Sequence, residues 1–234
     1  IDGAYDLTIT AGAAQSLTSA IGDTTPLTSI NVSTTSGNLT LGEDITVTGT
    51  NAMIFNAGSS TAAGTSTGGN IIISGSPNFT TGSGGRVTYY TGSVSGSTGL
   101  TSLIGSATHR FRYNSDETTT NYSAALSSGK YAIYREQPTL TITAASETVT
   151  YGTAAAESVT ITGMQNGDAS GTVVTTAASI SIAGSNVGDH TITPSDAAST
   201  YGYGFSYNNG ILTINKADLA ITATASTGNT YNGN

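Results

Sequence analysis

Four of the six basic residues in this 234-residue chain lie between His109 and Pro138: Arg110, Arg112, Lys130 and Arg135. Asp116, Glu117 and Glu136 share the stretch, and Tyr113 sits within it. Guanidinium groups beside tyrosines and carboxylates suit two kinds of chemistry. They can bind a glycan or a protein receptor through forked hydrogen bonds and stacking. They can also close a structural joint, with arginine stems over apolar surface and charged heads paired to nearby acids. Arg110, Arg112, Tyr113 and Arg135 are the candidates for either role. A second group is Tyr201, Tyr203, Phe205 and Tyr207, whose alternation predicts one strand presenting four aromatic rings on one face. Such a stripe stacks on a sugar or a protein partner, or packs across its own sheet. The ordinary packing role is the expected one.

Bond-making chemistry is poorly provided for. The chain has two histidines, His109 and His190, and no G-x-S-x-G elbow to place a serine against either of them. Glycoside hydrolysis needs two carboxylates across a cleft. Asp23, Glu43, Asp44, Asp116 and Glu117 are the available acids of the first half, and Glu43-Asp44 reads as a solvated turn. No cysteine is present, so thiolate nucleophiles, disulfides and thiolate metal sites are excluded. Acid pairs such as Asp2/Asp6 occur without the glycine–aspartate repeat of a calcium-binding β-roll. The expectation is no enzyme, no catalytic residue, no cofactor and no metal site.

Charged residues make up 9% of the chain, against roughly 25% in an ordinary soluble domain. The net charge of −8 disfavours nucleic acid as a partner, because phosphates call for a basic surface. No run of apolar residues is long enough to span a bilayer as a helix. Thr, Val, Ile and Tyr favour strands, and the 30 glycines with Asn, Asp and Ser favour turns. The fold class is therefore all-β.

Upstream of His109 the spacing predicts short strands at Leu7–Thr10, Leu27–Val32, Leu39–Leu41, Ile45–Thr48, Met53–Phe55, Ile71–Ser74 and Val87–Tyr90. Small-residue turns between short strands suit the rungs of a right-handed parallel β-helix over residues 1–108, with a β-sandwich as the alternative. Residues 109–138 then form a charged joint or end cap. Phe111 and Tyr113 are expected to pair with Tyr131 and Ile133 across a hairpin, with Arg110 and Arg112 on the opposite face. Residues 139–218 read as a small β-sandwich-like or β-grasp-like module. Its strands are expected near Leu140, Val149, Ser158, Thr172–Thr176, Ser179, His190, Tyr201–Tyr207 and Ile211, with a hairpin turn at Asn208-Asn209-Gly210. LTIT at Leu140 recurs as LAIT at Leu219, so residues 219–234 are expected to begin a second module as its first strand. The pattern runs up to both ends, and the chain is expected to be a piece of a longer protein.

Specific residues carry a family resemblance. VTYGT at Val149, NGD at Asn166, SNVGDHTI at Ser185 and YNNGILTINKADLAIT at Tyr207 resemble the MBG-type modules of large bacterial exoproteins. TYNGN at the C-terminus resembles the start of a YDG-type module, with Asn232 in place of that family's aspartate. IDGAYDLTITAG at Ile1, DTTPLTSINV at Asp23, FRYNSDE at Phe111 and YREQP at Tyr134 resemble filamentous-haemagglutinin-like adhesins. The resemblance implies a secreted or cell-surface adhesin built of β-helical and tandem β-modules, located outside the cell. The Arg/Tyr stretch and the tyrosine stripe leave open a surface glycan or protein receptor, and the C-terminal strand leaves open homo-assembly. The resemblance transfers no residue-level ligand site to this sequence.

Overall fold

The computed structural model describes residues 1–223, 228 and 233. Eighteen strands and two short helices make up its regular structure, so the chain is all-β. The first eleven strands are β1 (Asp6–Ala11), β2 (Gln15–Leu17), β3 (Ser29–Thr34), β4 (Leu39–Leu41), β5 (Ile45–Thr46), β6 (Met53–Ala57), β7 (Ile71–Ile73), β8 (Phe79–Thr80), β9 (Arg86–Thr91), β10 (Phe111–Arg112) and β11 (Gly129–Tyr134), with helix α1 (Leu100–Ile104) before β10. They form three wholly parallel sheets, ordered β1-β3-β6-β9-β11-β10, β2-β4-β7 and β5-β8.

Parallel, in-register pairing stacks like on like. Ile9, Val32, Phe55, Tyr89, Ala132 and Phe111 lie side by side across all six strands of the first sheet. Leu17, Leu41 and Ile73 do the same in the second, and Ile45 and Phe79 in the third. The rows meet in one core. Phe55 and Tyr89 stack at 5.5 Å, and Phe79 packs on both at 5.5 and 5.9 Å. Strands in such sheets are buried on successive positions, which is why β6 reads MIFNA rather than a clean alternation.

The second half holds β12 (Thr139–Ala144), β13 (Glu147–Thr150), β14 (Val159–Thr162), helix α2 (Ser170–Val173), β15 (Ser179–Ile182), β16 (Gly188–Ser195), β17 (Gly204–Asn208) and β18 (Gly210–Asn215). These form two mixed sheets, β14-β12-β17 and β13-β18-β16-β15. A small core of Ala144, Val149, Ile192, Leu212 and Ile214 fills this region. Leu140, Val173 and Tyr203 instead join the large core of the first half. The apolar interior therefore runs on past Pro138.

Three expectations are corrected. The expected hairpin of Phe111 and Tyr113 with Tyr131 and Ile133 is a parallel pair, Phe111 beside Ala132 and Arg112 beside Ile133. The intervening residues return the chain to the start of the sheet before it pairs. Thr172–Thr176 is no strand: α2 turns there, with Val173 N–H donating to Ala169 O, and buries Val173 in the large core. Asn208-Asn209-Gly210 makes no hairpin either. β17 pairs with β12, and β18 pairs with β13 and β16, so the chain crosses from one sheet to the other at Asn209. Gly210 is needed there for close approach, since a Cβ would stand 2.8 Å from Ala144 O and 2.7 Å from Ala145 O. Of the strand expected over 219–234, Leu219 to Ala223 are exposed and outside any strand. Most of the remainder, including Tyr231 and Asn232, lies outside the described residues.

Candidate functional site

The charged stretch meets the second half of the chain at residues 165–168 and again at residues 200–203. Asn166 takes a left-handed backbone, φ 52°, with Gly167 at φ 76°. The tight turn pushes its polar groups into the end of the first sheet. Asn166 O accepts Ala107 N–H at 3.0 Å and Ser106 Oγ–H at 3.1 Å. Asn166 Oδ1 accepts Thr101 Oγ1–H at 2.5 Å, and its Nδ2 donates to Tyr113 Oη at 3.0 Å. Gly167 suits the left-handed φ, and a Cβ there would stand 2.1 Å from Ser106 Oγ, so the serine would have to turn away.

Asp168 is the acceptor at the centre. Its Oδ2 receives Tyr203 Oη–H at 2.8 Å and Tyr113 Oη–H at 3.1 Å. Tyr113 stacks on Tyr134 at 5.5 Å and packs on Tyr203 at 4.5 Å. Burial pushes both phenols, Tyr113 and Tyr203, well above the ordinary tyrosine range. Burial also raises the Asp168 carboxyl, against the two phenol hydrogen bonds that favour its charged form. Backbone bonds complete the seam. Tyr113 N–H donates to Tyr201 O at 2.9 Å, and Ser123 and Ala124 N–H both donate to Thr200 O at 3.0 Å. Gly202, at φ 93°, lies so close that a Cβ would stand 2.1 Å from Tyr113 O.

Arg112 lies on the other face of β10 from Phe111 and is 3% exposed. Its guanidinium covers the rings of Tyr201 at 4.6 Å, Tyr131 at 5.5 Å and Tyr122 at 5.6 Å. It donates to the carbonyls of His109, Phe111, Ala124 and Ala125. Burial lowers its pKa, with the neighbouring tyrosines opposing. Arg110 donates to Ser128 O at 2.6 Å and also covers Tyr131, at 5.2 Å. These two arginines pin the loop of residues 113–128 to the outside of the sheet.

Arg135 turns the opposite way. It is fully buried and donates to Ala57 O at 2.8 Å, Asn56 Oδ1 at 2.6 Å and Glu117 Oε2 at 3.0 Å. Asp116 fixes the neighbouring loop by accepting Thr118 and Thr119 N–H on one oxygen and Ala63 N–H on the other. Burial opposes its charge, yet these bonds hold its pKa at about 2. Glu136 Oε2 accepts Val94 N–H at 2.7 Å. The acids of the stretch thus mostly hold backbone rather than arginines, with Glu117 the exception.

Of the sequence candidates, Arg112, Tyr113, Tyr201 and Tyr203 meet at this seam. Arg110 borders it, and Arg135 locks the adjoining coil. Tyr207 lies apart, its Oη accepting Ala197 N–H at 2.9 Å and its ring stacked on Phe205 at 6.3 Å. The single tyrosine face is corrected as well. The strand begins only at Gly204, and the left-handed Gly202 breaks the alternation, so Tyr201 and Tyr203 turn into the seam without Tyr207. Asn166, Asp168, His109 and Asn56 were not among the candidates. Asn166 to Asp168 carried a readable signal, a compact N-G-D turn. His109 Nδ1 lies 3.7 Å from Asp168 Oδ1, while the Ser106 hydroxyl donates to Asn166 O. The trio therefore lacks the serine–imidazole bond that activates a nucleophile. A groove of about 650 Å³, lined by Tyr151, Ile182, Leu212 and Ile214 among others, lies away from this seam.

Residues 140–213 match the family model of the MBG domain (YGX type). The Asn166–Asp168 turn and Tyr201 to Tyr203 thus belong to the MBG-type module, and Arg112, Tyr113 and His109 precede it. Such modules are typical of extracellular surface proteins. No curated protein and no solved structure matches the chain.

Proposed function

We propose that the chain is a structural and presenting segment of a large secreted bacterial surface exoprotein of the filamentous-haemagglutinin-like kind. In this reading residues 1–108 wind as a right-handed parallel β-helix, and residues 109–138 close it. The MBG-type module of residues 139–218 is docked rigidly on that end. The segment stiffens a stalk outside the cell, while attachment to a glycan or protein receptor is made elsewhere in the parent protein. It catalyses nothing and takes no cofactor.

The observation that carries this reading is the burial of the polar seam. Arg112, Tyr113 and Tyr203 are all within 5% of full burial, so they are spent on holding two β-units together. A receptor has no access to rings that are stacked on one another and hydrogen-bonded to Asp168. Low charge and the MBG match support an extracellular setting. Antibodies raised against the purified segment test it. They are expected to label intact cells that express the parent protein. Labelling only after the cells are permeabilised would refute the surface role.

A further inference from the structure

The groove beside Tyr151 lies where the chain leaves the MBG-type module. Tyr151 N–H donates to Asn215 O at 2.8 Å, so the last residue of β18 stands on the rim of the groove. The residues that follow are uncovered. Leu219 and Ile221 are each 83% exposed, and Leu219 to Ala223 belong to no strand. Leu219 and Ile221 alternate with Ala220 and Thr222, so an extended backbone turns both large side chains to one side. The groove offers the matching surface. Leu212, Ile214, Ile182 and Ala155 line it, and no charged side chain does. Tyr151 and Val187, 54% and 46% exposed, extend the apolar surface at this end, Val187 standing beside Gly188, the partner of Ile214 in the sheet.

We propose that this end of the module is a contact between two copies of the chain, with Leu219 and Ile221 of each copy seated in the groove of the other. The tail does not fill its own groove, since Leu219 to Ala223 stand exposed. It leaves from the rim of that groove. Two copies that meet here about a two-fold axis therefore set each tail beside the opposite groove, and one self-complementary contact serves both. Four aliphatic side chains, two from each copy, leave water when the pair forms, which supplies the driving force.

Charge points to the same place. The chain carries a net −8, so two copies repel each other over much of their surface. The groove is free of acids, and contact there costs least. Lys216 and Asp218 are exposed on either side of Ala217. Tails running antiparallel about Ala217 set Lys216 of one copy opposite the partner's Asp218, and the reverse, so each copy supplies both signs. The contact goes beyond the stiffening role, and it rests on the groove and the tail alone.

Sedimentation of the intact chain over a wide concentration range tests the contact. A dimer that dissociates on dilution is expected. Leu219→Asp and Ile221→Asp should each raise its dissociation constant by at least about tenfold, the equivalent of one poorly buried aliphatic side chain. Ala183→Glu, on the exposed rim of the groove, should weaken it similarly from the other side. Ile1→Asp, an exposed apolar position far along the chain, should leave the dimer unchanged. All four positions are exposed, so thermal melting of the variants should match that of the unmodified chain and set misfolding aside. A monomer at every concentration would overturn the proposal, whether the tail is free or folded into its own groove. So would a dimer that survives either the two tail variants or Ala183→Glu.

Discussion

Arg135→Ala is expected to lower unfolding stability by about 3–4 kcal/mol, because it empties a buried site and strands two acceptors. The guanidinium is fully buried and donates to Asn56 Oδ1 and Ala57 O. Without it these oxygens face a cavity that the packed aromatic rows cannot close. Glu117 contributes far less. Its side chain is 28% exposed, and Glu117→Gln should cost under about 1 kcal/mol. Arg135→Lys keeps the charge but loses the fork and should fall between the two. Urea unfolding at neutral pH measures all three. An Arg135→Ala loss below that of Glu117→Gln would mean that the buried guanidinium is no structural element.

Asp168→Ala should cost about 2–4 kcal/mol, since two buried phenols lose their common acceptor. Tyr113 and Tyr203 donate to the same oxygen, so the two halves of the chain are tied through one carboxylate. Asp168→Asn keeps an oxygen for them and should cost under about 1 kcal/mol at pH 5. Its disadvantage should shrink as pH rises, because the unmodified chain loses stability as Asp168 gives up its proton while the amide does not titrate. Thermal melts of the three forms, taken from pH 4 upward, separate these outcomes. Equal melting of Asp168→Ala and the unmodified chain would remove the seam from the stability of the fold.

Strands were legible where local pattern decides them. Leu39–Leu41 and Ser179–Ile182 stand where alternation and flanking turns put them, and β-branched residues mark β3 and β16 clearly. Pairing partners were less legible, because partner choice is a tertiary decision. Asn208-Asn209-Gly210 has the composition of a hairpin turn, yet both flanking strands find better partners in β12, β13 and β16. Phe111 likewise pairs with a strand that runs the same way, since the loop between them is long enough to return.

The site divides in the same manner. The clustering of Arg110, Arg112 and Arg135 pointed to either a joint or a binding site, and Arg112 is buried against the rings of Tyr201, Tyr131 and Tyr122. Their partners could not be read. Asn56 lies 79 residues before Arg135, and Ala57 lies 78 before it. The acids nearest in sequence, Asp116 and Glu136, hold backbone N–H groups instead of guanidinium groups. Asp168 looked like a turn residue, because N-G-D at a loop tip is ordinary turn chemistry. Only the fold reveals that this tip is buried against Tyr113.

Residual dipolar couplings in a weakly aligned sample test the rigid seam most directly. Couplings from N–H groups of β6, β9 and β11 define one alignment tensor, and those of β12, β16 and β18 define another. Rigid docking through Asn166, Asp168 and Tyr113 predicts that the two tensors coincide in orientation and magnitude. Two tensors of different magnitude would mean that the units move independently, and would contradict a stiffening role for this segment.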